Sequence, residues 1–200
     1  DSEEEDLACL RTVGTWIDVL LVGNHEYPHL GGTGFWGYEA DEEVADELAF
    51  QEDDGLLLPA YEAYGWLLTH AGLSHMHGWD GDASEIASYL QWTWLDDPLA
   101  PVFSDVGRAR GGSSPEGGVL WSDCSEPRWT EVNQVFGHTP ASRVRSNTGQ
   151  DLRRGTWYCL DLGGGKLRMS WGSRLAGAWI SADGSLEVVE VEVVEVEVPR

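Results

Sequence analysis

The chain of 200 residues has the length of one ordinary domain, and its hydrophobic content of 42% excludes an intrinsically disordered protein. Thirty-five acidic residues outnumber twelve basic ones, which gives a formal net charge of -23. This charge argues against nucleic acid and anionic membranes as partners, because both bind basic surfaces. We therefore expect a single domain over residues 1–200.

Short apolar runs alternate with stretches of helical spacing along most of the chain. Ile86, Leu90 and Trp94, for example, would share one face of a helix. The elements predicted in chain order are a helix (1–13), a strand (17–22), a Gly- and aromatic-rich loop (31–38), a helix (41–52), a strand (64–69), a helix (83–94), a Gly/Arg/Ser-rich loop (104–118) and strands at 119–121, 132–136 and 157–162. This alternation indicates an α/β fold.

The last part of the chain predicts a β-hairpin. Asp183-Gly184 separates two alternating runs, residues 175–181 and 186–198, and Asp-Gly is a typical hairpin turn. Residues 186–200 are nearly all Val and Glu, so alternation gives one apolar and one acidic face. We expect an acidic edge strand or tail whose glutamates are solvated and do not form a metal site.

Three cysteines, Cys9, Cys124 and Cys159, lie far apart and have no metal-ligand spacing. We expect small, buried, reduced thiols and a cytoplasmic protein. The sequence shows no signal-peptide pattern and no apolar run of membrane length. Most of the eleven Trp residues are expected in the core or in pocket walls.

Three histidines each follow a predicted strand. His25 stands in the sequence Gly-Asn-His-Glu at 23–26, and His70 and His138 come after two later strands. Strand ends of an α/β sheet can meet at one edge, and imidazole is both a common metal ligand and an acid/base group. Together with the Asn24 amide, these histidines favour a divalent-metal site. The alternative is that residues 23–26 form only a polar turn.

The motifs around these histidines occur in a specific order. Gly-Asn-His-Glu (23–26), Thr-His-Ala-Gly-Leu-Ser (69–74) and Gly-His-Thr-Pro (137–140) resemble those of the calcineurin-like metallophosphoesterases. Leu-Trp-Ser-Asp (120–123) and Tyr-Cys-Leu-Asp (158–161) resemble segments of the branch that contains phosphoprotein phosphatases and bacterial diadenosine-tetraphosphatases. The resemblance implies a β-sandwich of mixed sheets flanked by helices.

The same resemblance implies metal-dependent hydrolysis of phosphomonoesters by a metal-activated hydroxide. Asn24, His70 and His138 would bind the second of two divalent ions, with manganese expected and iron or zinc as alternatives. His25 would be the general acid that protonates the leaving oxygen. Arg110, which lies next to two glycines, would bind the substrate phosphate and is preferred to Arg108; a plain surface loop is the alternative for both.

The substrate class stays open at this point. A phosphorylated protein, as for a serine/threonine phosphatase, a small phosphoester and a dinucleoside polyphosphate all fit. Two opening motifs of the family, Gly-Asp-x-His and Gly-Asp-x-x-Asp-Arg-Gly, which supply the first metal's ligands, are missing from the sequence. We therefore expect an N-terminally incomplete domain with little or no phosphatase activity by itself. The alternative is a degenerate, non-catalytic module that reuses the fold for binding.

Overall fold

The computed structural model describes residues 2–32, 34, 41–129, 131–147, 155–163 and 174–192 of the chain. These residues form a mixed α/β structure of helices and mixed sheets, as the sequence predicts. Most of the predicted loop at 31–38 and the end of the predicted acidic strand, 193–200, lie outside the described residues.

Helices form where the sequence predicts them. The predictions at 1–13, 41–52 and 83–94 are confirmed by α1 (Ser2–Gly14), α2 (Glu42–Asp53) and α3 (Ala83–Asp96). A short α4 (Pro101–Ser104) and two 3-10 helices (Tyr27–Leu30 and Arg108–Arg110) complete the helical elements of the described residues. Both longer internal helices begin at an aspartate cap: Asp41 accepts from Val44 N–H, and Asp82 forms a capping box with Glu85.

The strands predicted at 17–22, 64–69 and 157–162 are shorter than expected, and the sequence does not predict those at 57–58, 60–63 and 145–146. Nine strands form in the described residues. They are β1 (Leu20–Leu21), β2 (Leu57–Leu58), β3 (Ala60–Ala63), β4 (Trp66–Thr69), β5 (Asn133–Phe136), β6 (Arg145–Ser146), β7 (Trp157–Cys159), β8 (Arg174–Ile180) and β9 (Leu186–Glu192). The largest sheet has the order β3-β4-β5-β7-β6, in which β4, β5 and β7 are parallel and both edge strands are antiparallel. β1 pairs in parallel with β2, and β8 pairs with β9 in a hairpin.

The main hydrophobic core lies between the sheet and α3. It includes the side chains of Leu67 in β4, Ile86 and Leu90 in α3, and Leu120 from the loop before β5, all 0–1% exposed. Burying one such side chain stabilises the fold by about 1.5–3 kcal/mol. This packing fixes the parallel strands whose ends carry the candidate site.

One predicted strand is wrong, and the predictions for tryptophan and cysteine hold for most residues. Residues 119–121 form a buried turn and not a strand, because the N–H groups of Trp121 and Ser122 both donate to Gly118 O. Most of the described Trp residues lie in or against the core as expected: Trp66, Trp79, Trp94 and Trp121 are buried, and Trp129 and Trp157 pack against the core clusters. Trp16, Trp92 and Trp179 are 84%, 63% and 71% exposed. Cys9 is exposed, whereas Cys124 and Cys159 are buried as expected.

The predicted hairpin is confirmed and is attached to the main sheet by its turn. Gly184 has a positive φ of 80°, and Trp66 Nε1 donates to Gly184 O at 2.8 Å. Among the described residues, no helix combines the length and apolar composition that crossing a bilayer requires.

Candidate metal centre

Three polar side chains from distant parts of the sequence meet at one edge of the structure. His70 follows β4 and His138 follows β5, and these strands are parallel neighbours, so their carboxyl ends lie side by side. Gly137 N–H donates to His70 O at 2.8 Å, which holds the two histidine loops together. Asn24 reaches the same place from the turn after β1.

The donor atoms of these side chains form a compact triangle. Asn24 Oδ1 lies 2.9 Å from His70 Nε2 and 3.1 Å from His138 Nδ1, and the two imidazole nitrogens are 2.9 Å apart. Adjacent ligands of an octahedral ion with bonds of about 2.1 Å are about 3.0 Å apart. The triangle therefore has the size of one face of such a coordination sphere.

The chemistry of the donor set fits a borderline divalent ion. Two imidazole nitrogens and one amide oxygen suit ions that accept mixed nitrogen and oxygen ligands. The described residues contain no group of three or more His, Cys, Asp or Glu side chains placed to hold a metal ion, because the third donor here is the Asn24 amide. The triangle can hold one ion.

Burial keeps both histidines neutral at physiological pH. Desolvation, followed by the nearby charges of His25 and Arg110, lowers the pKa of His70 to about 4. Burial and the neighbouring His70, with a further contribution from Arg110, lower the pKa of His138 to about 2. Neutral imidazole is the form that binds a metal, so no proton has to leave first.

The backbone at His138 is strained. Its φ is +68°, a left-handed conformation that residues with a side chain rarely adopt. The neighbouring peptide groups hold it in place: Thr139 N–H donates to Gly137 O at 2.8 Å, and Arg110 Nη2 donates to His138 O at 3.1 Å. Strain of this kind is concentrated at functional sites.

Arg110 lies against the loop that carries His138. It ends the 3-10 helix Arg108–Arg110, and its Nη2 also donates to Thr139 Oγ1 at 2.7 Å. Its Nε forms an ion pair with Asp123 Oδ2 at 2.9 Å. Arg108 is exposed. The structure thus places Arg110 beside the histidine triangle.

Asp123 is a member of this site that the sequence prediction did not include. Burial opposes its ionisation, but hydrogen bonds from Ser125 and the charges of Arg110 and Arg145 lower its pKa. The sequence contains an indication that Asp123 belongs to the site, because Asp123 ends the Leu-Trp-Ser-Asp segment. Its role as the partner of Arg110 is visible only in the folded chain.

A buried arginine, Arg128, donates a hydrogen bond to the loop that follows His70. Arg128 Nη1 donates to Ala71 O at 2.7 Å and to Ser122 Oγ at 2.8 Å, and its guanidinium lies 4.5 Å from the centre of the Phe136 ring. Burial lowers the pKa of Arg128. This arginine therefore links the segments before His138 and after His70.

His25, unlike the three triangle residues, is exposed to solvent. Its charge contributes to the lowered pKa of both His70 and His138, so it lies within electrostatic range of the triangle. The predicted site residues are thus arranged as three converging donors, an adjacent arginine and an exposed histidine.

No family model matches this sequence, and comparison with curated proteins and with solved structures gives no match. The chemistry of the site therefore follows from its own geometry. That geometry offers a three-donor pocket for one divalent ion, next to a cationic side chain and a solvent-exposed acid/base group.

Proposed function

We propose that this protein is a metal-dependent phosphoesterase of the calcineurin-like type, acting on phosphomonoesters. The observation that carries the proposal is the triangle of Asn24 Oδ1, His70 Nε2 and His138 Nδ1, with sides of 2.9–3.1 Å. A β-sandwich, which the motifs also imply, remains a prediction. Phosphoproteins, small phosphoesters and dinucleoside polyphosphates remain the candidate substrates.

The triangle would hold a divalent ion, for which we propose Mn²⁺ first and Fe or Zn as alternatives. A bound ion of this kind lowers the pKa of water and neutralises charge on a phosphate. The amide of Asn24 is buried and both imidazoles are neutral, so none of the three ligands has to lose a net charge before binding. The triangle would supply ligands for one ion, while the implied mechanism uses two. We therefore propose weak metal binding and little activity for this chain alone.

Arg110 and His25 would act on the substrate. The side chain of Arg110 is 26% exposed and its guanidinium is oriented by Asp123 and Thr139, so it can present a fixed positive charge to phosphate oxygens. His25 is exposed, so its ring can exchange protons with solvent and can donate one to a leaving oxygen.

The second candidate function is a non-catalytic module that binds a metal or a partner through the same fold. The observation that favours it is the triangle itself, which offers three donors to a single ion, whereas the implied hydrolysis uses two. The two functions differ in one measurable property, which is phosphate-ester hydrolysis that depends on both the metal and His25.

The experiment combines Mn²⁺ titration by calorimetry with p-nitrophenyl phosphate hydrolysis, using the full chain. We expect one Mn²⁺ per chain, with affinity at least about tenfold weaker in Asn24→Ala and His138→Ala. His75→Ala is the matched control, because His75 is exposed and contacts Trp129 instead of the triangle.

Hydrolysis decides between the two functions. Slow turnover that requires Mn²⁺ and is lost in His25→Ala supports the phosphoesterase. Mn²⁺ binding at the triangle without any such turnover supports the non-catalytic module. Equal Mn²⁺ affinity in His138→Ala and in the unsubstituted protein would reject the metal centre itself.

A further inference from the structure

We propose that Cys124 and Cys159 form a reversible oxidation site, in which hydrogen peroxide converts the two thiols to a disulfide and thereby weakens metal binding at the His138 loop. The predicted weakening of metal binding by oxidation rests on the proposed function. The formation of the disulfide does not.

The two thiols belong to one small buried cluster. Cys159 ends β7, Cys124 follows Asp123, and both pack with Phe136 against Trp157. Cys159 is 1% exposed and Cys124 is 9% exposed. The two side chains lie in this one cluster although they are far apart in sequence. The third cysteine, Cys9, is exposed and lies in α1.

Arg145 favours ionisation of one of these thiols, Cys159, and thereby its oxidation. Arg145 lies opposite Cys159 in the antiparallel pairing of β6 with β7, and its Nη2 is 3.5 Å from Cys159 Sγ. The hydrogen bond from Cys124, and after it the charge of Arg145, lower the pKa of Cys159 to about 6 despite burial. The same hydrogen bond raises the pKa of Cys124. Arg145 and Cys124 thus favour ionisation of the Cys159 thiol, and the thiolate is the form that peroxide oxidises.

The oxidation proceeds in two balanced steps. The Cys159 thiolate attacks one oxygen of hydrogen peroxide, the O–O bond breaks, and the other oxygen takes a proton and leaves as water. The Cys124 sulfur then attacks the sulfenic sulfur of Cys159, and the S–O bond breaks as the oxygen leaves with a proton as a second water. The thiols lose two electrons in total, and the peroxide gains them.

The disulfide would act on the loop on both sides of His138. Cys159 Sγ donates to Gly137 O at 3.4 Å and to Thr139 O at 3.7 Å, and Cys124 N–H donates to Thr139 Oγ1 at 3.1 Å. A disulfide brings the sulfurs to about 2.05 Å and removes the thiol donor. Thr139 must then move, and with it the backbone of His138.

Arg110 would be affected through the same contact. Its Nη2 donates to Thr139 Oγ1 at 2.7 Å, the atom that also accepts from Cys124. A shift of Thr139 therefore changes both a metal ligand and the phosphate-binding side chain. Oxidation is expected to weaken Mn²⁺ binding by about tenfold, the size of effect seen when the groups that orient a ligand are disturbed.

The test uses the full chain with Cys9→Ser, so that Cys124 and Cys159 are the thiols under study. The protein is treated with hydrogen peroxide, unfolded and assayed for free thiols, and non-reduced peptides are analysed by mass spectrometry. We expect both thiols to be lost, a cross-linked peptide joining Cys124 to Cys159, and full recovery with dithiothreitol. Adding Cys124→Ser or Cys159→Ser should abolish the cross-link.

Mn²⁺ affinity and the His138 ring-proton NMR shifts are then compared before and after oxidation. Both should change in the Cys9→Ser protein and stay constant when Cys124→Ser is added. Sulfinic acid on one cysteine without a cross-link would overturn the oxidation site. A disulfide that leaves the His138 shifts unchanged would overturn its coupling to the loop. If the reduced protein does not bind Mn²⁺, the proposed function fails, and the NMR shifts still decide the coupling.

Discussion

The imidazole of His70 lies directly against the backbone of Gly23. A Cβ atom built on Gly23 would stand 2.8 Å from Cε1 and 2.9 Å from Nδ1 of His70, and 2.5 Å from Glu26 Oε2, closer than real Cβ contacts. The φ of Gly23 is not positive, so a larger residue is disfavoured by the His70 ring and the Glu26 carboxylate and not by backbone conformation. Residue 23 therefore sets the position of the His70 ring.

Gly23→Ala should displace the His70 ring and weaken Mn²⁺ binding by about tenfold. Overpacking of this kind should also lower the free energy of unfolding by about 1–3 kcal/mol. Calorimetric titration and urea unfolding measure the two effects. Gly177→Ala is the control, because a Cβ there has no neighbour within 4 Å. Unchanged Mn²⁺ affinity in Gly23→Ala would contradict this account of the site.

Mn²⁺ affinity should be nearly constant between pH 8 and pH 6. Burial holds the pKa of His70 at about 4 and that of His138 at about 2, so neither imidazole has to lose a proton in this range. A site built from exposed histidines would lose affinity as the pH falls through about 6.5. Titration at several pH values checks this, and a steep loss between pH 7 and pH 6 would show that the histidines are not buried as described.

Stability should fall as the pH decreases from about 6.5 to 4. In the unfolded chain the histidine pKa is about 6.5. In the folded chain His70 protonates only near 4 and His138 only near 2, so the unfolded state binds more protons in this window. Urea unfolding without metal, at pH 7.5, 6 and 5, measures the slope. His138→Asn should reduce the slope, whereas His75→Asn should leave it unchanged.

Removing the Arg110 charge should raise the pKa of His70, since this charge helps to lower it. Arg110→Gln should also weaken binding of inorganic phosphate in the presence of Mn²⁺. The unpaired groups of Asp123 and Thr139 should lower the free energy of unfolding by about 1–3 kcal/mol. NMR titration of the His70 ring protons and phosphate calorimetry measure these effects.

Two further variants sharpen that comparison. Arg110→Lys retains the positive charge but lacks the planar guanidinium, which binds phosphate through two N–H groups. This variant should therefore preserve the low pKa of His70 but bind phosphate less well than the unsubstituted protein does. Arg108→Gln is the control, because Arg108 is exposed in the same 3-10 helix. An equal loss of phosphate binding in Arg108→Gln would argue for general surface charge instead of Arg110.

Asp82→Ala should destabilise α3 without affecting the metal centre. Asp82 accepts from Ser84 N–H at 2.9 Å and from Glu85 N–H at 3.0 Å, and Glu85 accepts from Asp82 N–H at 2.9 Å. Loss of such a cap costs about 0.5–2 kcal/mol. Urea unfolding of Asp82→Ala and of the exposed control Asp80→Ala measures the difference. Equal stability of the two variants would show that the capping box contributes nothing.

The candidate ligands could be predicted from the sequence because their placement follows from local signals. His70 and His138 each come directly after a short apolar strand, and parallel neighbours end at the same edge. Helices α2 and α3 could be predicted for a similar reason, because an aspartate cap precedes an amphipathic run in each.

The parts that sequence reasoning missed depend on contacts between distant segments. The ion pair of Asp123 with Arg110 joins two loops, and no periodic pattern marks it. The apolar residues 119–121 satisfy a strand pattern, but their backbone bonds back to Gly118 while their side chains enter the core. The thiols of Cys124 and Cys159 became neighbours only when β7 was aligned beside β5.

The left-handed backbone of His138 lowers the stability of the fold, while the side chain at the same position is a candidate metal ligand. Glycine adopts such a φ freely, whereas a residue with a Cβ loses about 1–2 kcal/mol there. His138→Gly, which removes a metal ligand, is therefore expected to cost the metal-free protein little stability or even to raise its melting temperature. A selection for thermostable variants of this chain would remove its candidate metal centre at residue 138 first.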